Sequence, residues 1–245
     1  MVDKERLDRL LLAKGLCESR TEAQALCLAG EVYWGEQRVD KPGMRLPIDA
    51  CLTVRARRRF VSRGGEKLQG ALTDFALDPR DCVCVDIGAS TGGFTDCLLQ
   101  AGAARVYAVD VGRGQLDPKL CQDPRVVDCE KTNARSLERD RFPEPIDWVV
   151  IDASFIGLEH LAPTCARLLG SGGVLVALAK PQFEVGRDQA RRNRGVIRDE
   201  ALRQSGVDRA ARAIEAAGFR LLGRADSRLR GPKGNLECFL YARRL

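Results

Sequence analysis

Apolar positions in the first 55 residues follow two periods in turn. Leu7, Leu10, Leu11 and Leu12 recur at helical spacing on one side of a first helix that Gly15 should end. Ser19-Arg20-Thr21-Glu22 has the spacing of a capping box and opens a second helix through Ala23, Leu26 and Cys27 until Gly30. Short strands are expected at Val32-Tyr33-Trp34, Gln37-Arg38-Val39 and Cys51-Leu52-Thr53-Val54, separated by turn formers that include Gly35, Pro42 and Gly43. From about Leu77 the pattern changes. Cys82-Val83-Cys84-Val85 is a continuous apolar run leading into Asp86-Ile87-Gly88-Ala89-Ser90-Thr91-Gly92-Gly93-Phe94. A helix-compatible stretch, 95–101, and then Arg105-Val106-Tyr107-Ala108-Val109-Asp110 complete a βαβ unit that closes on an acid. Further apolar runs at 148–151, 174–179, 219–222 and 238–241 alternate with helical stretches near 158–169 and 200–217. The second part of the chain is therefore expected to be α/β with a largely parallel sheet, after a small α+β unit.

With 245 residues, one small and one medium domain is the natural division. The expected boundaries are 1–58, a basic connector at 59–63, and 64–245. At 44% hydrophobic and 30% charged residues, the chain reads as ordinary folded domains rather than disorder. It holds no apolar run of the roughly 18 residues needed to span a bilayer. The N-terminus is charged from Asp3 with no apolar segment behind it, so no secretory signal is read and a cytoplasmic location is expected. The ten cysteines are scattered singly, without C-x-x-C, and His160 is the one histidine. They are read as reduced small hydrophobes rather than metal ligands, and no metal is expected.

The net charge of +6 is modest, but its distribution is informative. Arg57, Arg58, Arg59 and Arg63 lie together with only Glu66 opposing them, and Arg187, Arg191, Arg192, Arg194 and Arg198 form a second group. Each run alone fits a solvated face; two flanking one catalytic core favour a polyanion. Two helices followed by a small sheet, with the stretches Ser19-Arg20-Thr21-Glu22-Ala23 and Ala29-Gly30-Glu31-Val32, resemble the RNA-binding domain of ribosomal protein S4. That likeness implies affinity for structured RNA through shape and phosphates, and adds Arg6 and Arg20 to the expected RNA contacts. The alternative is a generic αβ cap on the main domain.

Gly88, Gly92 and Gly93 sit where a strand turns into a helix, a place where missing side chains let a ligand approach the backbone. Close packing of helix on strand also asks for glycine. Asp86 precedes the turn and Asp110 ends the next strand, where the acid of this fold binds ribose hydroxyls; a turn or capping role is the alternative for Asp110. A carboxylate at the mouth of the loop repels a pyrophosphate and suits a sulfonium and an ammonium, which favours S-adenosylmethionine (SAM) over NAD. Ser90 and Phe94 complete the expected cofactor loop, and Asp128 or Asn133, near the end of a third strand, is placed to flank an adenine. No G-x-x-x-x-G-K-[ST] occurs.

Asp152 closes one apolar run, Lys180 closes another, and Glu237 stands just before Cys238-Phe239-Leu240. Ligand crevices in open α/β sheets lie outside the carboxyl ends of the strands, so Asp152 and Lys180 should face the cofactor. Five ordered motifs then carry a resemblance over essentially the whole chain: Ser62-Arg63-Gly64-Gly65-Glu66-Lys67-Leu68, the 86–94 loop, Asp152-Ala153-Ser154-Phe155-Ile156, Lys180-Pro181-Gln182-Phe183-Glu184-Val185-Gly186 and Gly231-Pro232-Lys233-Gly234-Asn235-Leu236-Glu237. Together they resemble the TlyA group, historically called haemolysin A, within the FtsJ-like ribose methyltransferases. The resemblance implies a Rossmann-like class I methyltransferase domain with a seven-stranded sheet and a Lys-Asp-Lys-Glu tetrad falling on Lys67, Asp152, Lys180 and Glu237. It also implies SAM as cofactor and cytidine 2′-hydroxyls of ribosomal RNA as substrate, with ribosomal RNA or subunits as partner. In this reading Lys180 is the base, Lys67 the second positive charge, and Asp152 and Glu237 orient the pair. A lysine acts as base only when neutral, a form that desolvation and nearby cations favour and carboxylates oppose. The net sign stays open. The first helix begins almost at once and the chain stops after the last strand, which points to large-subunit RNA as the first substrate, with the small subunit second.

Structural alternatives remain for each residue: Lys67 as one more connector cation, Lys180 as a solvated strand end, Asp152 and Glu237 as caps. The competing functions are a membrane-active haemolysin, against which the arginine runs without an apolar face argue, and a ribosome assembly factor without catalysis. A pseudouridine synthase would leave the 86–93 loop unexplained.

Overall fold

A computed structural model describes residues 3–54 and 59–245. By internal contacts the chain divides into two units, Met1–Arg59 and Phe60–Leu245. Arg57 and Arg58 lie outside the described residues. The stretch 59–63, expected to be a connector, belongs to the second unit from Phe60 onward: Phe60 is buried in its core and Arg63 begins a helix.

The first unit runs β1 (Lys4–Arg6), α1 (Leu7–Ala13), α2 (Arg20–Leu28), β2 (Val32–Trp34), β3 (Gln37–Arg38), β4 (Arg45–Pro47) and β5 (Leu52–Val54). Leu7, Leu10 and Leu11 of α1 meet Ala23, Cys27, Val32, Leu46 and Leu52 in one apolar cluster. Leu12, expected on the same side, is exposed, because one further step of about 100° carries it off that face. Ser19 caps α2 as its sequence foretells, its Oγ accepting from Glu22 N at 3.1 Å, while Glu22 reaches back to Glu18 N at 2.7 Å. β2 pairs with β3 and β5, and β1 pairs with β4, all antiparallel.

The second unit opens with α3 (Arg63–Asp74). It continues with β6 (Val83–Ile87), α4 (Gly93–Gln100), β7 (Arg105–Val109), α5 (Pro118–Cys121), β8 (Val126–Cys129) and β9 (Ile146–Ile151). After α6 (Ala162–Leu168) and β10 (Leu169–Ala179) come α7 (Pro181–Glu184), α8 (Arg187–Arg192), α9 (Glu200–Ala216), β11 (Phe219–Asp226) and β12 (Cys238–Arg244). The seven strands lie in the order β11-β12-β10-β9-β6-β7-β8, and β12 alone runs against the others. Both faces of this sheet are covered, which is why its strands read as continuous apolar runs. Val85, Ile87, Val149, Ile151, Leu175 and Ala177 meet Cys165, Val207, Ala210 and Ile214 on one face. Cys84, Val106, Trp148, Val150, Val176 and Leu178 meet Leu68, Ala71, Cys97 and Leu98 on the other. Six cysteines are buried, as small core hydrophobes would be, and no disulfide is formed among the described residues. No helix of the described residues is long and apolar enough to cross a membrane.

Candidate active site

The carboxyl ends of β6, β9 and β10 and the start of β12 share one edge of the sheet. Registers fix this: Ile87 lies opposite Ile151, Ile151 opposite Ala177, and Ala179 opposite Cys238. The residues just past those pairs are Gly88, Asp152, Lys180 and Glu237, so two carboxylates and an ammonium arrive on adjacent strands, about 4.8 Å apart per strand.

Two ion pairs result. Lys180 Nζ stands 2.6 Å from Asp152 Oδ1, an ion pair without hydrogen-bond alignment. The same nitrogen donates to Ser154 Oγ at 3.0 Å and to the Asp152 carbonyl at 3.4 Å. Lys67 reaches in from α3 and donates to Glu237 Oε2 at 2.5 Å. Lys67, Lys180 and Glu237 are buried, at 7%, 8% and 1% exposure, so neither lysine is a solvated strand end or connector cation. A cation so placed persists only with its partner. Gly231 lets the backbone close on this pair, since a Cβ there would meet Glu237 Oε1 at 2.5 Å. Asn235, also buried, accepts from Ile197 N and donates to the Gly195 carbonyl, both at 2.8 Å, tying the 231–237 turn to the segment that follows α8.

The glycine turn has a different internal logic from a bare ligand loop. Asp86 is fully buried and its Oδ2 accepts from Thr95 N at 2.9 Å and Thr95 Oγ1 at 2.7 Å. Its Oδ1 has no partner. Burial pushes the Asp86 carboxyl up to about 7 against the pull of the Thr95 hydroxyl, and the Asp152 charge adds to the rise. Gly88 and Gly92 hold left-handed φ values of 86° and 92°. A Cβ at Gly92 would strike Leu120, and one at Gly93 would strike Ser62 Oγ at 2.2 Å, so these glycines serve the packing of α5 and α3 against α4. Phe94, expected at the cofactor, is instead core, its ring stacked against Phe239 at 6.0 Å. It follows Gly93 into the helix and so points inward.

Past the turn, Ala89, Ser90, Ala108, Asp110, Gln115 and Asp128, with Glu130, line a small open cavity. Asp110 accepts from Ser90 N at 2.9 Å and from Gly112 N at 2.7 Å, which shapes the loop and leaves each oxygen a second lone pair. Asn133 does not line this cavity. It caps a short 3₁₀ turn, accepting from Arg135 N at 3.1 Å. Glu130, one of the acids nearest the cavity, was not singled out by sequence, because no periodicity distinguishes it from Asp128.

Of the expected RNA contacts, Arg6 and Arg20 converge on the buried Asp8, whose Oδ2 lies 3.0 Å from each. Their guanidiniums hold the Asp8 carboxyl well below the usual range, Arg6 foremost. Arg63 donates to the Arg230 carbonyl at 2.9 Å. Arg59 is exposed, as are Arg191 and Arg192 on α8 and Arg194 beyond it. Phe155 is 91% exposed at a φ of 66°, its ring 5.3 Å from Phe183. A large aromatic held in a strained conformation facing water is a feature that packing does not require.

The fold is that of the class I SAM-dependent methyltransferases, and the chain belongs to the FtsJ-like methyltransferase family, whose model matches residues 60–244. An S4 domain matches residues 5–50. Over 240 residues the chain is 44% identical to YqxC of Bacillus subtilis (strain 168), described as a candidate rRNA methyltransferase, covering 97% of this chain and 85% of that protein. It is 42% identical over 245 residues to the 16S/23S rRNA (cytidine-2'-O)-methyltransferase TlyA of Mycobacterium tuberculosis (strain CDC 1551 / Oshkosh), covering 99% and 91%. A solved structure from Streptococcus thermophilus, described as a candidate hemolysin, superposes with a TM-score of 0.75 at 40% identity, covering 100% of this chain and 90% of that one.

Proposed function

We propose that this chain methylates the ribose 2′-hydroxyl of a cytidine in ribosomal RNA, with large-subunit RNA the first substrate to test and small-subunit RNA the second. The observation that carries the reading is a pair of lysine–carboxylate contacts, Lys180 past β10 with Asp152 past β9, and the buried Lys67 of α3 with Glu237 before β12, at the edge that also bears the glycine turn. The relatives named as rRNA methyltransferases give the substrate class.

SAM, when bound, supplies a methyl group on a positively charged sulfur. The residues present fit it. The orphaned Oδ1 of Asp86 is a buried acceptor suited to a cationic group, and Asp110, Asp128 and Glu130 offer carboxylates to the hydroxyls and amine of a nucleoside. Gly88, Gly92 and Ser90 set the turn, with Gly92 and Gly93 acting through packing rather than through contact. Lys180 takes the proton of the 2′-hydroxyl as that oxygen attacks, and Asp152 holds its amine in place. Lys67, held by Glu237, adds positive charge beside the oxygen and stabilises the alkoxide character that develops there. Phe155 offers a face on which a base near the target can stack. Arg59, Arg63, Arg191, Arg192 and Arg194, and Arg6 and Arg20 in the S4 domain, engage phosphates; Arg57 and Arg58 extend that series in sequence.

Incubating the protein with methyl-labelled SAM and separated ribosomal subunits, then mapping the label by nuclease digestion, tests the reading. Label should appear on a cytidine 2′-oxygen. Lys180→Ala should cut transfer by about 10²- to 10⁴-fold while SAM affinity stays near that of the unaltered protein. Transfer to a base atom, or equal loss of transfer and SAM binding, refutes it.

A further inference from the structure

After each methyl transfer Lys180 holds one proton too many, and the next transfer waits until that proton leaves. The surroundings of its nitrogen show where it goes. An ammonium has three hydrogens and no acceptor site. Here the nitrogen donates to Ser154 Oγ at 3.0 Å and to the Asp152 carbonyl at 3.4 Å, while Asp152 Oδ1 stands 2.6 Å away as an ion pair without hydrogen-bond alignment. The Asp152 carbonyl has no hydrogen to pass on, and Asp152 Oδ1, which is not aligned for a hydrogen bond, would have to give up its charge and the ion pair to carry the proton. A hydroxyl can accept one hydrogen while releasing another, and its rotor is free to turn. Ser154 is also exposed, whereas Lys180 is 8% exposed. It is thus a hydrogen-bonded contact of Lys180 that can exchange a proton, and it is more open to water than Asp152, whose side chain is 22% exposed.

We propose that Ser154 is a proton-relay residue that returns Lys180 to its neutral form, an inference that rests on Lys180 being the base. The steps balance. The ribose O–H bond breaks as its oxygen takes the methyl, and the proton completes the ammonium of Lys180. One N–H bond of that ammonium then breaks toward Ser154 Oγ, and the hydrogen already on Ser154 passes to water or a buffer base. Serine regains a hydroxyl and lysine its lone pair; no electrons are exchanged.

Three measurements on the full chain decide it. Ser154→Ala should lower turnover on rRNA about ten- to a hundredfold, leave SAM affinity unchanged, and regain rate as imidazole buffer is raised, while the unaltered protein ignores the buffer. Ser154→Thr, which keeps the hydroxyl, should turn over within about threefold of the original. In the cofactor-free protein, NMR of lysine side-chain nitrogens should show the Lys180 ammonium hydrogens exchanging with water more slowly in Ser154→Ala. Full turnover in Ser154→Ala, a loss that buffer fails to restore, or a threonine variant as slow as alanine overturns the relay. Absence of rRNA methylation by the unaltered protein would instead sink the functional reading, and the relay with it.

Discussion

Asp86 should make cofactor affinity rise with pH across neutrality. Its carboxyl is pushed up from the ordinary carboxylate range to about 7 by complete burial. For such a group the ionised fraction is roughly one tenth at pH 6 and about nine tenths at pH 8. A cationic ligand that needs the carboxylate therefore binds about tenfold more tightly at pH 8, a difference of about 1.4 kcal/mol. Binding at pH 6 should release close to one proton, read by repeating calorimetric titrations of SAM in two buffers of different ionisation heat. Asp86→Asn should flatten the slope, leaving only what the ligand's own amine contributes. The unliganded fold should respond in the opposite sense. A carboxyl whose folded value lies above its unfolded value binds more protons when folded, so stability falls as pH rises from about 4 to about 7 and is level beyond. Glu184, also pushed up to about 7 by burial, from 4.5, contributes in the same direction. Affinity that is flat between pH 6 and 8, or a slope that survives in Asp86→Asn, would refute the assignment of Asp86 to the cationic end of the cofactor.

Asn235→Ala would leave the buried Ile197 N and the Gly195 carbonyl without their partners. A loss of about 1–3 kcal/mol in urea unfolding is expected, with faster proteolysis at 193–198; an unchanged cleavage rate would show that the clamp is dispensable. Gly93→Ala places a Cβ 2.2 Å from Ser62 Oγ and 2.9 Å from Gly65 N. It should cost about 1–3 kcal/mol of stability in thermal melts. Preserved stability with lost SAM binding would instead return Gly93 to the ligand.

Much of this architecture was legible in the chain. The strands of the parallel sheet announce themselves because both faces are buried, and the acids at their ends follow from where those runs stop. Residues whose roles depend on direction were harder. Phe94 and Asn133 stand beside true turn residues in sequence, but a helix start and a 3₁₀ cap turn them away from the cavity, and nothing in the local pattern reveals that rotation. β1 and β4 have three residues each, too few to show any period. Glu237 stood out by its place before the last apolar run, but its pairing with Lys67 did not, since a contact over 170 positions leaves no local trace. Ser154 and Asn235 lay inside quoted motifs without a role, because their meaning comes from what other segments bring to them.

The reversed strand β12 decides when the centre is complete. Lys67 emerges near the start of its unit, and its counter-charge arrives only with the final hairpin. Until then a buried ammonium would stand alone, a state costing about 3–5 kcal/mol relative to the complete pair. A chain in which β12 has not docked accordingly holds Lys67 without Glu237, so the centre is completed only when that strand joins the sheet.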